Sequence, residues 1–326
     1  MTTDPTHLPG SPGSMPYVGV ASFLKLALVP AAEADGYHFL VLGIPFDEGT
    51  SNRPGARFGP RAIRAASTLY SYEGGAELFD VELGRTILAG ARVGDRGDVP
   101  ISPGNGEADR EMIAEAVAGI VRAGAVPVAL GGDHSVTASL LRGLARARPA
   151  EPRPYLVHLD THMDFDSYLP PYAHGTPIRQ AMDESLVAGV TQVGIRGFNS
   201  GKTDWEEAQS RGLRVVTREA FSNLGTQGVL DLVPAGALLY ISIDIDVFDP
   251  GIAPGTGTPE PGGLTYAEGR TLIRALAGHG PVVGLDLVEV NPQYDQGEIT
   301  AILAARLILD AMGAVWEART EQSLQT

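Results

Sequence analysis

Short apolar segments recur along the chain, and most of them end at a glycine or an aspartate. About eight of these segments have the length and the Val, Leu and Ile content of buried strands. The predicted strands are His38–Gly43, Ile87–Val93, Val126–Leu130, Tyr155–Leu159, Gln192–Ile195, Leu213–Val216, Leu238–Ile245 and Val282–Leu287. Continuous apolar strands are typical of a parallel sheet that is covered on both faces.

Segments with helical spacing of apolar residues lie between these strands. The predicted helices are Glu107–Ala123, Ser135–Arg148, Asp204–Arg211, Tyr266–Ala277 and Glu298–Ala318. Strands that alternate with helices predict an α/β fold with a parallel sheet. The pattern fits an open sheet and a TIM barrel equally, and both folds place functional residues at the carboxyl ends of strands.

The chain shows no internal repeat and no interior linker, so we expect one domain over residues 32–326. An N-terminal arm, residues 1–31, precedes it and is expected to be partly extended. The arm contains Met15-Pro16-Tyr17 and Phe23-Leu24-Lys25-Leu26, which are too apolar for a free tail. These residues are expected to pack either on their own domain or on a neighbouring subunit.

Composition narrows the classes of function. The formal charge of −15 and the pI of about 4.8 disfavour nucleic acid as a partner and tolerate a cationic substrate. Cysteine is absent, which excludes disulfides and thiolate metal ligands. The N-terminus lacks the pattern of a signal peptide, and no long apolar run predicts a membrane span. We therefore expect a soluble cytoplasmic protein.

Three short strings carry the candidate chemistry, and each follows a predicted strand. They are Gly131-Gly132-Asp133-His134-Ser135, Asp160-Thr161-His162-Met163-Asp164 and Ser242-Ile243-Asp244-Ile245-Asp246. Alternate residues of an extended segment share one face, so the Asp and His side chains of each string can point together. One such string alone is more often a cap or a turn, but three together predict a site for two divalent cations.

Two longer motifs accompany these strings, one from Gly49 to Arg64 (GTSNRPGARFGPRAIR) and one from Ala253 to Leu264 (APGTGTPEPGGL). With them, the chain from Gly43 to Met312 resembles the ureohydrolase family of arginase, agmatinase and related guanidino-acid hydrolases, and agmatinase most closely. The resemblance implies a single three-layer α/β/α domain with a parallel, roughly eight-stranded sheet. It therefore replaces the barrel as the expected fold.

The resemblance also implies a ligand set for two Mn²⁺ ions. His134, Asp160, Asp164 and Asp244 would hold one ion, and Asp160, His162, Asp244 and Asp246 the other. Asp160 and Asp244 would then bridge the pair. Thr161 departs from the Ala that most relatives carry between the ligands, so Ni²⁺ stays open as the alternative metal.

The implied reaction is hydrolysis of a guanidino compound to urea and an amine. A water that bridges two cations loses a proton near neutral pH, and the resulting hydroxide can attack the guanidinium carbon. The resemblance makes His174 the proton shuttle and Glu289 the carboxylate that pairs with the guanidinium. With Asp160, these are the expected catalytic residues.

The substrate is expected to be selected by the loop between Asp164 and His174. Asp166 could pair with a terminal ammonium, which fits agmatine. Tyr168 and Tyr172, with Phe165 and Met163, could instead enclose guanidine or a short N-substituted guanidine. Arg179 could bind the carboxylate of a guanidino acid, although an exposed helix residue is the simpler interpretation. Arginine is disfavoured because the loop lacks the Ser-Gly-Asn stretch that arginase uses.

Other polar residues near the strings receive supporting roles. We expect His158 to support Asp160 from within the sheet and not to bind metal, and Asp133 to support the site or cap the following helix. Asp249 and Asp286 are not needed as ligands. The arginines between Arg53 and Arg64 are expected to order a loop or contact a subunit.

Two other classes compete with an active hydrolase. A non-catalytic family member acting as a partner subunit would have lost ligands, and this chain keeps them all. A deacetylase of the same fold with one Zn²⁺ would not need Asp164 and Asp246. The resemblance further implies a homo-oligomer, a trimer or a hexamer.

Overall fold

A parallel sheet of eight strands forms the centre of the molecule, in a computed structural model that describes residues 15–72 and 74–325. The strands are Phe39–Gly43 (β1), Leu78–Asp80 (β2), Arg85–Ile87 (β3), Val93–Asp98 (β4), Val126–Leu130 (β5), Tyr155–Leu159 (β6), Gly189–Ile195 (β7), Arg214–Thr217 (β8), Leu239–Asp244 (β9) and Val282–Val288 (β10). The order in the large sheet is β4-β1-β5-β10-β9-β6-β7-β8, and β2 pairs with β3 in a separate antiparallel hairpin.

Helices cover both faces of the sheet. They are Gly59–Ser67 (α1), Gly106–Arg122 (α2), Val136–Ala147 (α3), Pro177–Asp183 (α4), Lys202–Ser210 (α5), Arg218–Leu230 (α6), Tyr266–His279 (α7) and Ile299–Gln325 (α8). Alternate residues of β1 enter different cores: Phe39 and Val41 pack in one, Leu40 and Leu42 in the other. The three-layer α/β/α prediction is therefore confirmed.

Helix α8 passes a simple test for a membrane span, because its segment Ile299–Glu321 is long and apolar. However, 72% of the most apolar window of that segment is buried inside the fold. Its residues Leu307, Ile308 and Met312 belong to the same core as α7 and the sheet. The helix is apolar because it is packed against other elements.

One predicted strand is wrong. The segment Ile87–Val93 is divided in the structure, with Ile87 ending the hairpin and Val93 beginning β4. Leu88 and Gly90, at φ 57° and 73°, make the turn between them. The prediction failed because the apolar residues on the two sides of a tight turn look like one continuous strand in the sequence.

Three helices, α1, α4 and α6, were not predicted from the sequence. The arginines from Arg53 to Arg64 were expected to order a loop or contact a subunit. Arg64 instead lies on α1, where its buried guanidinium pairs with Asp95 at 2.8 Å and Asp98 at 2.5 Å. It joins α1 to β4.

The described part of the N-terminal arm packs on its own domain. Phe23 and Leu24 are fully buried, and their backbone N–H groups donate to Asp95 Oδ2 at 2.7 Å and Ser67 Oγ at 2.8 Å. Met15 and Tyr17 are exposed, at 50% and 85%. Residues 1–14 of the predicted arm lie outside the described part of the chain.

Candidate metal centre

Four neighbouring strands direct polar side chains to one edge of the sheet. β5, β10, β9 and β6 lie side by side, and their carboxyl ends lead to His134, Glu289, Asp244 and Asp160 respectively. In an open parallel sheet, this edge is where ligands bind. The fold thus brings together residues that are far apart in the sequence.

One group of predicted ligands surrounds His134. Its Nδ1 lies 3.0 Å from Asp160 Oδ2, 3.2 Å from Asp164 Oδ2 and 3.1 Å from Asp244 Oδ2. One ring nitrogen can carry only one proton, so it cannot satisfy three carboxylate oxygens. Asp160 Oδ2 and Asp164 Oδ2 are buried without a hydrogen-bond partner. A divalent cation among these atoms would satisfy all of them.

A second group adjoins the first. His162 Nδ1 lies 3.2 Å from Asp246 Oδ2 and 3.6 Å from Asp160 Oδ1. Asp160 therefore directs one oxygen toward each group, as a bridging carboxylate would. Asp244 directs Oδ2 toward His134, while its Oδ1 accepts the backbone N–H of Asp246 at 2.8 Å. All six predicted metal-ligating side chains meet in this cluster, and the donor set fits two hard divalent cations.

Mutual repulsion dominates the electrostatics of the cluster. Burial and the charges of Asp246 and Asp160 raise the pKa of Asp244 well above its ordinary value. Burial and the Asp160 charge likewise raise the pKa of Asp164. Burial acts to lower the pKa of His134, but the carboxylates of Asp160 and Asp164 raise it to about 10. Bound cations would relieve this repulsion and hold the carboxylates ionised.

A chain of hydrogen bonds orients His134 from below. Its Nε2 lies 2.9 Å from Ser242 Oγ, which donates to Asp286 Oδ1 at 2.7 Å. Because the hydroxyl hydrogen goes to Asp286, Ser242 accepts the Nε2 hydrogen of His134, and Nδ1 is left free for a metal. Tyr240 and Thr137 also donate to Asp286. Asp286 thus supports the site without contacting a metal position.

Glu289 and His174 form a pair beside the cluster. Glu289 Oε1 accepts the backbone N–H of His134 at 2.9 Å and lies 2.8 Å from His174 Nδ1, while its Oε2 is buried without a partner. Ser51 N–H donates to His174 Nε2 at 3.1 Å, so the ring hydrogen is on Nδ1, facing Glu289. Burial acts to lower the pKa of His174, but the Glu289 charge outweighs it and raises the pKa.

A cavity of about 360 Å³ opens onto both groups. The predicted residues Asp166 and Tyr168 line it, and Met163 contributes to the wall. Burial and the charge of Asp204 raise the pKa of Asp166 to about 6. None of the lining residues, all of which belong to the described segments, is Lys or Arg. Apart from the residues of the metal cluster and the His174–Glu289 pair, the charged residue of the lining is Asp166, so the wall offers no lysine or arginine to a substrate carboxylate.

Two predicted substrate residues lie elsewhere. The guanidinium of Arg179 pairs with Asp204 at 3.0 Å and Glu207 at 2.8 Å and donates to the Phe165 carbonyl, so α4 turns it away from the cavity. The ring of Tyr172 faces a separate cavity, with the Arg110 guanidinium 3.9 Å from its centroid. Neither residue lines the cavity at the metal cluster. The structure therefore does not bring these two predicted substrate residues to the metal cluster.

Three further residues beside the metal cluster are fully buried. Phe165 is fully buried in a core and does not wall the cavity. The hydroxyl of Thr161 is buried without a hydrogen-bond partner, and its backbone N–H donates to Asp246 Oδ1 at 3.4 Å. Asp133 accepts hydrogen bonds from Gly49 and Ser135, so it supports the loop beside His134.

Several residues of the cavity were not predicted from the sequence. Ser51, Asn52, Asn199 and Thr258 line the space around the metal cluster. Ser51 and Asn52 belong to the motif from Gly49 to Arg64, and its position after the first strand was a signal that this loop reaches the same sheet edge. Asn199 lies 3.0 Å from His162 Nε2 through its amide nitrogen. It follows β7, which neighbours β6.

Known proteins resemble this chain over most of its length. A sequence model of the Arginase family matches residues 37–313. Proclavaminate amidinohydrolase of Streptomyces clavuligerus is 39% identical over 298 residues, 89% of this chain and 91% of that protein. Its solved structure gives a TM-score of 0.84 at 37% identity, covering 94% of this chain and 100% of that chain.

Two further relatives bear on the substrate. Guanidinopropionase of Pseudomonas aeruginosa is 38% identical over 308 residues, 91% of this chain and 92% of that protein. Mitochondrial agmatinase of Gallus gallus is 39% identical over 305 residues, 90% of this chain and 85% of that protein. These relatives are named for different guanidino substrates. Similarity therefore does not identify the substituent on the guanidino group, and the residues of the cavity have to be considered.

Proposed function

The chain belongs to the arginase family, and on that premise we propose that this guanidino hydrolase prefers a substrate with a cationic tail, of the agmatine type. The observation that carries the proposal is the acidic cavity, in which Asp166 faces the space above the metal cluster and no Lys or Arg lines the wall. The ammonium of agmatine would be attracted to Asp166, whereas a carboxylate tail would be repelled. Urea and a diamine are then the products.

The bound cations, Glu289 and His174 have separate roles in the proposed reaction. When bound, the divalent cations supply a water molecule acidic enough to act as the nucleophile at neutral pH. Glu289 Oε2, buried and without a partner, is placed to accept N–H groups of the guanidinium and orient it. His174, whose pKa Glu289 raises, holds the proton that the departing amine requires.

The metal and the assembly are part of the same proposal. Four carboxylates and two imidazoles favour two hard cations per chain, Mn²⁺ first and Ni²⁺ as the alternative. A homo-oligomer, a trimer or a hexamer, is supported by the exposed side chains of Tyr72, Phe79 and Val81 around the β2–β3 hairpin. We also retain a cytoplasmic location from the sequence.

Of the two alternative substrates, one has specific support and the other does not. A guanidino acid is favoured by the name of the Pseudomonas aeruginosa relative, guanidinopropionase. Guanidine itself would leave most of the 360 Å³ cavity unfilled, so the cavity supports a substrate with a tail.

A urea-release assay with matched substrates tests the proposal. Agmatine and guanidinobutyrate are similar in length and opposite in terminal charge, so their ratio of kcat/KM isolates the effect of the tail. We expect a ratio of at least about 10 in favour of agmatine, which Asp166→Asn should reduce by about tenfold, equivalent to about 1.4 kcal/mol. Arginine, guanidinopropionate and guanidine complete the series, each with Mn²⁺ or Ni²⁺.

The outcomes separate the two parts of the proposal. Faster hydrolysis of guanidinobutyrate would overturn the cationic tail and leave the reaction class standing. Absence of urea from every substrate with either metal would overturn the hydrolase as proposed. Glu207→Gln, a change at a half-buried α5 residue outside the cavity, is the matched control for loss of a negative charge.

A further inference from the structure

A buried histidine lies directly beneath the metal cluster, where the sequence predicted that it supports Asp160 without a metal bond. His158 precedes Asp160 by two residues on β6, and it is fully buried. Its Nε2 lies 2.9 Å from Asp160 Oδ2, and its ring centroid is 4.8 Å from that of His134. By position alone it groups with His134, Asp160 and Asp164 as a possible metal ligand. Whether His158 can bind a metal depends on which of its two ring nitrogens carries the hydrogen.

Gln192 determines that protonation. It is the register partner of His158 on β7, so the two side chains lie on the same face of the sheet. Gln192 Nε2 lies 2.6 Å from the Met163 carbonyl and 3.0 Å from His158 Nδ1. A carbonyl only accepts hydrogen bonds, so the amide nitrogen, and not the amide oxygen, must face Met163. The second amide hydrogen then points to His158 Nδ1.

The ring hydrogen of His158 is consequently on Nε2. Since Nδ1 accepts from Gln192, a neutral imidazole must carry its hydrogen on the other nitrogen. A nitrogen that carries hydrogen has no lone pair for a cation. It lies 2.9 Å from Asp160 Oδ2, and each of these two buried atoms lacks a hydrogen-bond partner of standard geometry.

Resting on the proposed function, we infer that Gln192 and His158 are positioning residues that hold Asp160 in place between the two cation positions. His158 donates toward Asp160 and is not a third histidine ligand. Gln192 acts one step further away, by fixing which ring nitrogen carries the hydrogen. Met163, one of the residues around the cavity, accepts a hydrogen bond from Gln192 at its carbonyl and fixes the orientation of the amide.

Three variants test the pair through metal affinity, with the full-length protein depleted of metal and titrated calorimetrically with Mn²⁺. His158→Leu removes the donor and should weaken Mn²⁺ binding by about 10- to 100-fold at an unchanged stoichiometry of two. His158→Gln supplies an amide N–H near the position of Nε2 and should recover most of the affinity. Gln192→Glu should weaken binding although His158 is intact, because a carboxylate draws the ring hydrogen to Nδ1.

Thr191→Val is the control for the same two strands. It removes the contact between Thr191 Oγ1 and Tyr155 at 2.9 Å but leaves the pair untouched. It should lower the melting temperature of the metal-free protein without changing Mn²⁺ affinity. This separates a general weakening of the sheet from a loss of positioning.

Three outcomes of these experiments would overturn the inference. A lower stoichiometry in both His158 variants would make His158 a ligand. If the unaltered chain releases urea and binds two cations, but His158→Leu and Gln192→Glu bind Mn²⁺ with unchanged affinity, the positioning role alone is overturned. An unaltered chain that binds no Mn²⁺ and releases no urea would overturn both this inference and the proposed function.

Discussion

At the scale of single residues, Glu289 has the most demanding position. Its φ of 63° is unusual for a residue with a side chain, and it follows β10 directly. One carboxylate oxygen holds both the His134 backbone and the His174 ring, and the other is unpaired. A strained residue with one free buried oxygen is typical of a binding site.

We predict that Glu289→Gln lowers kcat/KM by about 10²- to 10³-fold, because a charged partner of the guanidinium is lost. The amide keeps the size of the side chain, so Mn²⁺ affinity should change little. Steady-state kinetics and calorimetric Mn²⁺ titration measure the two quantities. A variant that retains activity within tenfold would remove Glu289 from substrate binding.

The sequence predicted the positions of the clustered residues better than those of the substrate residues. His162, Asp164 and Asp246 follow strand ends within a few residues, so the sheet edge that they reach was predictable. The extended backbone expected there is absent, because Asp246 lies in a short 3-10 helix and Asp164 has a φ of 51°. The direction of Arg179 depends on Asp204 and Glu207, which belong to another helix. Such partners are distant in sequence, so no local pattern reveals them.

At the scale of elements, the strands of the central sheet were predictable and the short elements were not. The buried strands are continuous apolar runs, whereas α4 has seven residues and α6 contains Gly225 at φ 62°. The β2–β3 hairpin consists of two three-residue strands with partly exposed side chains. Elements of this size carry too few apolar positions to show a period.

The hairpin is held by a buried carboxylate, and this predicts a pH dependence. Asp80 Oδ2 pairs with Arg270 at 2.6 Å and Arg306 at 3.0 Å, which joins β2 to α7 and α8. Burial acts to raise the pKa of Asp80, but the Leu83 N–H and the Arg270 charge outweigh it and lower the pKa. A lowered pKa in the folded state stabilises the protein above the unfolded-state pKa, and the effect is lost as pH falls.

Asp80→Asn should therefore lower the free energy of unfolding by about 2 kcal/mol at pH 7, and by progressively less below about pH 4. Urea unfolding at several pH values measures the difference. Asp231→Asn, at an exposed carboxylate that accepts only from Gln227 in the described hydrogen bonds, is the control and should have little effect. A difference that does not change with pH would contradict the role assigned to the Asp80 charge.

At the scale of the whole molecule, the fold explains how an acidic chain keeps so many carboxylates together. The formal charge is −15, and the cluster concentrates Asp160, Asp164, Asp244 and Asp246 at one edge of the sheet. Parallel strands bring these side chains there from separate parts of the chain, and helices on both faces exclude water. The sequence predicted the fold class and the sheet edge that carries the cluster. It did not predict how the N-terminal arm packs, because Phe23 is held by Asp95, which lies on a distant strand.

The central claim is that two cations at this edge form urea, and a metal titration of activity tests it most directly. Metal-depleted protein should release no urea, and activity should return with Mn²⁺ up to two ions per chain. Asp160→Asn should lower the rate by about three orders of magnitude or more, while the metal-free fold is retained. Urea release that survives metal removal, or that continues at the original rate in Asp160→Asn, would contradict the account.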